Sequence, residues 1–213
     1  MASLFDLAHY IASFAASPLA RWSTIAPWEL TAQSESAVRA LLAELPVGEF
    51  VMNGEVAVHR CAAVEGGAVL KGPLILNAGC FVAAGAYLRG GNWVAENCIF
   101  GPGSELKSSF VFAGTKLAHF NFVGDSVLGA KVNLEAGSVV CNYRNERSAK
   151  EVLVHVGSQL HRTGKEKFGA LLGDGTRIGA NAVVAPGAIL SPGTVIRRLE
   201  LYDPELSAKP TRG

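Results

Sequence analysis

The sequence predicts an all-β repeat solenoid: a parallel β-helix preceded by a short helical segment and carrying an inserted β-hairpin. Three observations carry that prediction. Apolar residues recur at every sixth position through the middle of the chain. Turn-forming residues recur at the same interval, three positions later. The 213 residues include 24 glycines but only 8% aromatics, a composition suited to many turns of positive φ.

Residues 1–47 read as a helical segment. Leu4, Leu7, Ala8, Ile11, Phe14 and Ala15 follow helical spacing, so a first helix is expected over Leu4 to Ala15. Pro18 and Pro27 punctuate the stretch after it. A second helix is expected from Ser34 to Leu45, with Val38, Leu41, Leu42 and Leu45 on one face and Pro46 ending it.

The repeat domain is expected over 48–196. Taking every sixth residue from Val64 gives Leu70, Leu76, Val82, Leu88, Val94, Phe100, Leu106, Phe112 and Ala118, all apolar. At 49% hydrophobic content such a run arises by chance on the order of once in a thousand, or about once in two hundred over six phases. Three residues behind this column stand Gly67, Pro73, Gly79, Gly85, Gly91, Asn97, Gly103 and Ser109, turn formers of which Gly and Asn tolerate left-handed φ. A period of six is neither helical nor a hairpin alternation; it is the hexad of a β-helix. Each hexad gives one short strand and one corner. Three hexads close a triangular coil, and coils stack about 4.8 Å apart. Cys80 and Cys98 lie one 18-residue coil apart and read as small core residues.

The repeat slips near His119, and Phe122, Leu128, Leu134 and Val140 restart it out of phase. Residues 144–167 carry nine charged side chains and no hexads. There, Val152 to Val156 and Gln159 to Arg162 flank Gly157-Ser158 and read as a protruding hairpin. Hexads return at Leu172, Ile178, Val184, Leu190 and Ile196. Residues 197–213 are expected to form a polar tail.

Composition limits function. A net charge of +1 gives no general attraction to nucleic acid or an anionic membrane surface. The apolar start lacks an early Lys or Arg and carries Asp6, unlike a signal peptide, and no apolar run reaches about 18 residues. Cys61, Cys80, Cys98 and Cys141 show no paired spacing. Reduced thiols and a cytoplasmic location are the expectation.

A β-helix fills its interior with side chains, so chemistry belongs on its outside, at register breaks and between subunits. The segment around His119 is therefore the first place to search. A histidine side chain titrates near neutrality and suits a general base; the alternative is a hydrogen-bonded structural histidine. Arg89 and Lys107, one coil apart on one face, suit a phosphate, with a solvated basic face as the alternative. Glu105 stands two residues before Lys107 and by itself reads as surface charge. Asn133 and Asn142 can orient polar groups or form corner ladders. Tyr143 lines the site or caps the coil.

The run from Glu105 to Tyr143 resembles the acetyltransferase domain of the bifunctional glucosamine-1-phosphate acetyltransferase/N-acetylglucosamine-1-phosphate uridylyltransferase family, and of its stand-alone hexapeptide-repeat relatives. The residues that carry the resemblance are Glu105-Leu-Lys107, His119-Phe-Asn-Phe-Val-Gly-Asp125, Lys131-Val-Asn133-Leu-Glu-Ala-Gly137 and Cys141-Asn-Tyr143. The resemblance implies left-handed coiling, a homotrimer, acetyl-CoA as co-substrate and an amino-sugar 1-phosphate as acceptor, with no metal. It implies His119 as general base and Arg89, Glu105, Lys107, Phe122, Asn133, Asn142 and Tyr143 around the acceptor. Ala136, Gly137, Gly179 and Ala180 match small positions along the acetyl-CoA groove, and such residues equally suit tight corners. Phe122 stands where the family has tyrosine, and Ser148 where it has lysine, with Arg144, Arg147 and Lys150 nearby. No glycine-rich nucleotide loop precedes the repeats, so nucleotide transfer is not expected of this sequence. Two other readings stay open: an O-acyltransferase of the hexapeptide class, and a non-catalytic scaffold or regulatory subunit of sugar-nucleotide metabolism. A zinc hydratase lacks its ligands, since positions 114 and 124 are glycines and His155 and His161 lie in the insert.

Overall fold

A computed structural model describes residues 6–157 and 159–207. Leu4, Ser158 and the end of the tail lie outside them. Three sheets of short parallel strands surround one lumen. On the first face Val56 pairs with Leu74, and Leu74 with Asn92. On the second, Ala63 pairs with Phe81, and Phe81 with Ile99. On the third, Val69 pairs with Tyr87, and Tyr87 with Glu105. These steps are 18 residues long, as three hexads require. The hairpin Phe50–Asn53 with Val56–His59 caps the start of the first face. Leu201–Tyr202 pairs with Val183–Val184, one strand beyond the last expected hexad.

The turn column does what its composition predicts. Gly67, Gly79, Gly85, Gly91, Asn97 and Gly103 all have φ between +59° and +95°. The aliphatic column points inward, and Leu76, Val82, Leu88, Val94, Phe100 and Leu106 are sealed in the lumen. Cys80 and Cys98 stack there as core residues, their sulfurs donating to the carbonyls of Ala95 at 3.0 Å and Phe112 at 3.3 Å. The hydrogen bond with Cys80, and then burial, push the Cys98 thiol above the usual thiol range.

The slip is placed differently from the sequence reading. It occurs twice, once before His119 and once after it. Trp93 pairs with Phe110 and Phe110 with Val127, steps of 17 residues. The corner between the third and first faces loses one residue at Ser108 and again at Asp125, which adopt φ of +49° and +46°. A side-chain ladder holds these shortened corners. Asn92 Oδ1 accepts from the Ser109 N–H at 2.9 Å, Ser109 Oγ from the Ser126 N–H at 3.1 Å, and Ser126 Oγ from the Ala170 N–H at 3.0 Å. After Leu106 the lumen is therefore filled by Val111, Leu117, Val123 and Leu128. Phe112 and Ala118, which continue the six-residue count, are not in it.

Phe112 is apolar because the first face is buried on both sides. Its outward residues Ile75, Trp93, Phe110, Phe112, Val127 and Leu171 form a second core with the N-terminal segment. That segment is more broken than expected. The first helix is only Leu7–Tyr10, followed by two 3-10 turns at Phe14–Ala16 and Pro18–Trp22. Ile11 is extended, and the Ala12 N–H leaves the helix to bond Asp174 Oδ2 at 2.9 Å. Pro27 opens a helix, Pro27–Ala32, with proline at its first turn. The next helix, Ser34–Leu42, ends three residues early. Gly91 lets it dock: a Cβ there would lie 2.6 Å from the Glu35 nitrogen.

In the insert, Leu153–Val156 pairs antiparallel with Gln159–Arg162. Val152 and Val154 join Trp28 and Phe168 in the outer core, so one side of the insert is packed down. Arg144, buried, ties the start of the insert to the C-terminal end through Asp203, with both contacts at 2.8 Å. This pairing holds the Asp203 carboxyl below its ordinary range. Among the described residues no helix is long and apolar enough to cross a membrane.

Candidate active site

With the first face covered, the open surfaces are the second and third faces and the edge between them. His119 and Phe120 form the tip of that edge, after the strand Lys116–Leu117 and before Phe122–Gly124. The backbone ladder fixes what stacks on them. The Phe120 N–H bonds the Pro102 carbonyl at 3.0 Å, the Gly137 N–H bonds the His119 carbonyl at 2.9 Å, and the Asn181 N–H bonds the Ala136 carbonyl at 3.0 Å. Pro102, His119, Ala136 and Ala180 thus occupy equivalent corner positions in successive coils, with Gly137 and Gly179 beside them. The structure brings His119 together with all four residues assigned to the acyl carrier. The imidazole is exposed and lies over Gly101, where a Cβ would stand 3.2 Å from Nδ1.

Phe120 was missed by the sequence reading. Its φ is +52° and its side chain is 72% exposed. Its ring covers Gly103, where a Cβ would lie 2.6 Å from Cδ1. Equivalent corners carry Gly85, Gly103, Gly137 and Asn181, so a phenylalanine here is costly in backbone terms. The signal was in the sequence: one large apolar residue in a column of glycine and asparagine.

The acceptor residues spread across the third face. Glu105 and Phe122 are paired neighbours in its first outward column, nearest the His119 edge; Arg89, Lys107 and Gly124 form the second column. Each cation meets a carboxylate. Arg89 contacts Glu105 at 2.7 Å, both groups about one-third exposed. Lys107 contacts Asp125 at 2.8 and 3.1 Å, with side-chain exposures of 17% and 9%. Asn142 Nδ2 also donates to Asp125. Asp125 was not singled out from the sequence, because its role depends on the shortened corner that tucks it beside Lys107. Tyr143 is half-buried, with Lys150 Nζ 5.2 Å from its ring centroid. Of the cations near the lysine-replacing Ser148, Arg144 is buried on Asp203, Arg147 pairs with Glu205 at 2.8 Å, and Lys150 Nζ bonds two backbone carbonyls.

Asn133 lies apart from these, on the second face between Lys116 and Arg177. There it borders a groove of about 220 Å³ with Gly179, Arg177, Arg197 and Arg198. Arg198 forks onto Glu135 at 2.8 and 2.9 Å. Small backbone-exposing corners next to arginines fit a carrier that combines a slender arm with phosphates. Among the described residues no three His, Cys, Asp or Glu side chains are grouped so as to hold a metal ion.

Hexad coils with an exposed histidine at one corner define the architectural class of the hexapeptide-repeat solenoids. No family model matches the chain. The chain is similar to the bifunctional sugar-1-phosphate nucleotidylyltransferase/acetyltransferase of Sulfurisphaera tokodaii, 35% identical over 111 residues, which are 49% of this chain and 27% of that protein. It is also similar to the bifunctional protein GlmU of Carboxydothermus hydrogenoformans, 34% identical over 109 residues, 48% of this chain and 22% of that protein. The chain thus spans about a quarter of the length of these curated relatives. Among solved structures, a hexapeptide transferase family protein from Anaplasma phagocytophilum is 16% identical, with a TM-score of 0.36, over 68% of this chain and 72% of that one.

Proposed function

We propose that this protein is an acetyl-CoA-dependent N-acetyltransferase acting on an amino-sugar 1-phosphate, working as a cytoplasmic homotrimer with its sites between subunits. The observation that carries the reading is the edge between the second and third faces. There an exposed His119 shares a corner stack with Ala136 and Ala180, followed by Arg198, which forks onto Glu135. Similarity to a curated relative whose name includes acetyltransferase supports the same reading.

His119 lies between two surfaces of different chemistry. On the second face, Gly179 and the arginine-bordered groove suit acetyl-CoA. On the third, Glu105, Phe122, Arg89 and Lys107 suit a phosphorylated amino sugar, with Asn142 and Tyr143 beyond them. His119 accepts the proton released as the amine nitrogen attacks the thioester carbonyl, and the thiol of coenzyme A leaves. Phe122 contributes apolar contact without a hydroxyl. Arg89 and Lys107 stand across the third face from His119, so within one chain no contact joins them to it. A subunit seated against this face supplies the missing closeness, which is why the trimer belongs to the proposal.

The test is thiol release from acetyl-CoA with a panel of amino-sugar phosphates and hydroxyl acceptors, with His119→Ala as control and light scattering alongside. Turnover with glucosamine 1-phosphate by a trimer, lost in the variant, supports the proposal. Turnover with hydroxyl acceptors alone replaces it with O-acyl transfer. A monomer removes the proposed site. A second reading, a non-catalytic subunit, is favoured by one observation: Arg89 and Lys107 already have carboxylate partners. Failure of the pure protein to bind any acyl-CoA by calorimetry would establish it.

A further inference from the structure

The third face changes character at the coil of His119. Before it the acceptor residues are charged: Arg89, Glu105 and Lys107. From it onward the first outward column is Phe122, Val139, Val183 and Leu201, paired in that order. The same register carries the second column through Gly124, Cys141 and Ala185. None of these residues offers a hydroxyl, a side-chain amide or a charge. Burial pushes the Cys141 thiol up, so it stays neutral. Phe122 sits on the boundary, paired with Glu105 on one side and with Val139 on the other.

The Phe122 ring leans along its strand over Gly124. A Cβ at Gly124 would stand 2.9 Å from Phe122 Cζ and 2.6 Å from Asn142 Nδ2. The ring is half-buried, so part of it is open floor. The polar groups around it are unequally committed. Asn142 Nδ2 and Lys107 Nζ are both taken by Asp125. Arg89 holds Glu105 through Oε1 alone, with Nε at 2.8 Å and Nη2 at 2.7 Å. Glu105 Oε2 has no partner among the described residues, so it can accept from one hydroxyl. A second hydroxyl set down on the ring would give up water and gain no bond. A carbon bearing only hydrogen would instead bury apolar surface there.

We propose, resting on the acetyl-transfer reading above, that the acceptor is a deoxyamino sugar phosphate, with Glu105 Oε2 holding one ring hydroxyl and Phe122 facing a carbon that bears none. Phe122 then determines specificity and takes no part in the chemistry. The amine nitrogen still forms the amide bond, the thioester carbon–sulfur bond still breaks, and His119 still takes the proton.

The experiment compares kcat/KM for glucosamine 1-phosphate with those for its 3-deoxy, 4-deoxy and 6-deoxy analogues. It uses the full chain with acetyl-CoA, follows thiol release, and runs light scattering alongside. One of the three analogues should exceed the parent about tenfold, as one apolar contact can supply. Phe122→Tyr, which restores a hydroxyl to the ring, should bring that ratio to one or below. Phe122→Leu, still apolar, should keep the analogue ahead. Preference for the parent over all three analogues overturns the assignment and leaves acetyl transfer standing. A ratio that Phe122→Tyr does not move also overturns it; if that variant alters only the oligomeric state, the ring belongs to a subunit contact. No turnover with any of the four removes the acetyl-transfer reading, and the selection with it.

Discussion

Along the edge between the second and third faces, the corner positions that stack with His119 hold Pro102, Ala136 and Ala180. Along the edge between the third and first faces, Lys107, Asp125 and Asn142 bond one another. Both edges are turns of the same solenoid, a few residues apart in every coil. At one, the imidazole is exposed beside Phe120, with alanines on the next two coils and Arg198 beyond them. At the other, the coil is one residue shorter and its charges are spent on holding the corner. The comparison shows that neighbouring corners of one coil can leave a titratable side chain exposed or commit charges to each other, according to the length of the corner. Arg89 and Lys107 read as phosphate ligands because they are cations; in the structure each is paired with a carboxylate.

Five expectations sharpen or break that contrast, from the largest effect to the smallest. Replacing His119 by alanine should lower kcat about a thousandfold, a barrier increase of about 4 kcal/mol, with the melting temperature unmoved. A fall below tenfold would strip the open edge of its role. Asp125→Asn should cost about 3 kcal/mol of stability in denaturant unfolding, because Lys107 is left with little solvent and no counter-charge. A loss below about 0.5 kcal/mol would make this edge no more than a surface pair. Enlarging the open corner with Ala136→Leu should raise KM for acetyl-CoA about tenfold, about 1.4 kcal/mol, without lowering the melting temperature; an unchanged KM would move the carrier elsewhere. Phe120→Gly should relieve left-handed strain and stabilise the fold by about 1 kcal/mol while slowing transfer. A destabilised variant would show that the ring serves packing on Gly103. Glu105→Gln, on the one-third-exposed Arg89 pair, should change stability by about 0.5 kcal/mol or less, and its effect should show in acceptor KM instead.

The hexads, their glycine and asparagine corners, and the stacking of Cys80 on Cys98 were legible in the sequence because each follows from a local rule repeated at a fixed interval. The resemblance alone assigns Ala136 and Ala180 to the acyl carrier; that they stack with His119 follows from a 17-residue coil and a coil lengthened by the insert, which the 18-residue rule does not give. What misled was Phe112. It kept the six-residue count alive past Leu106 although it points outward, and only the shorter coils place Val111 and Leu117 in the lumen. Asp125 was passed over for the same reason: a one-residue deletion in a corner leaves no composition signal.

From its own order of residues the chain determined the parallel coil, its period and the identity of its turn formers, because backbone pairing and left-handed φ are settled within a hexad or between neighbours 18 residues apart. Only the tertiary structure decided which face is covered, where the coil shortens, and which charges pair. Those outcomes depend on the N-terminal segment and the insert packing over the first face, which makes its outer side as apolar as its inner side and so hides the register from any count along the chain.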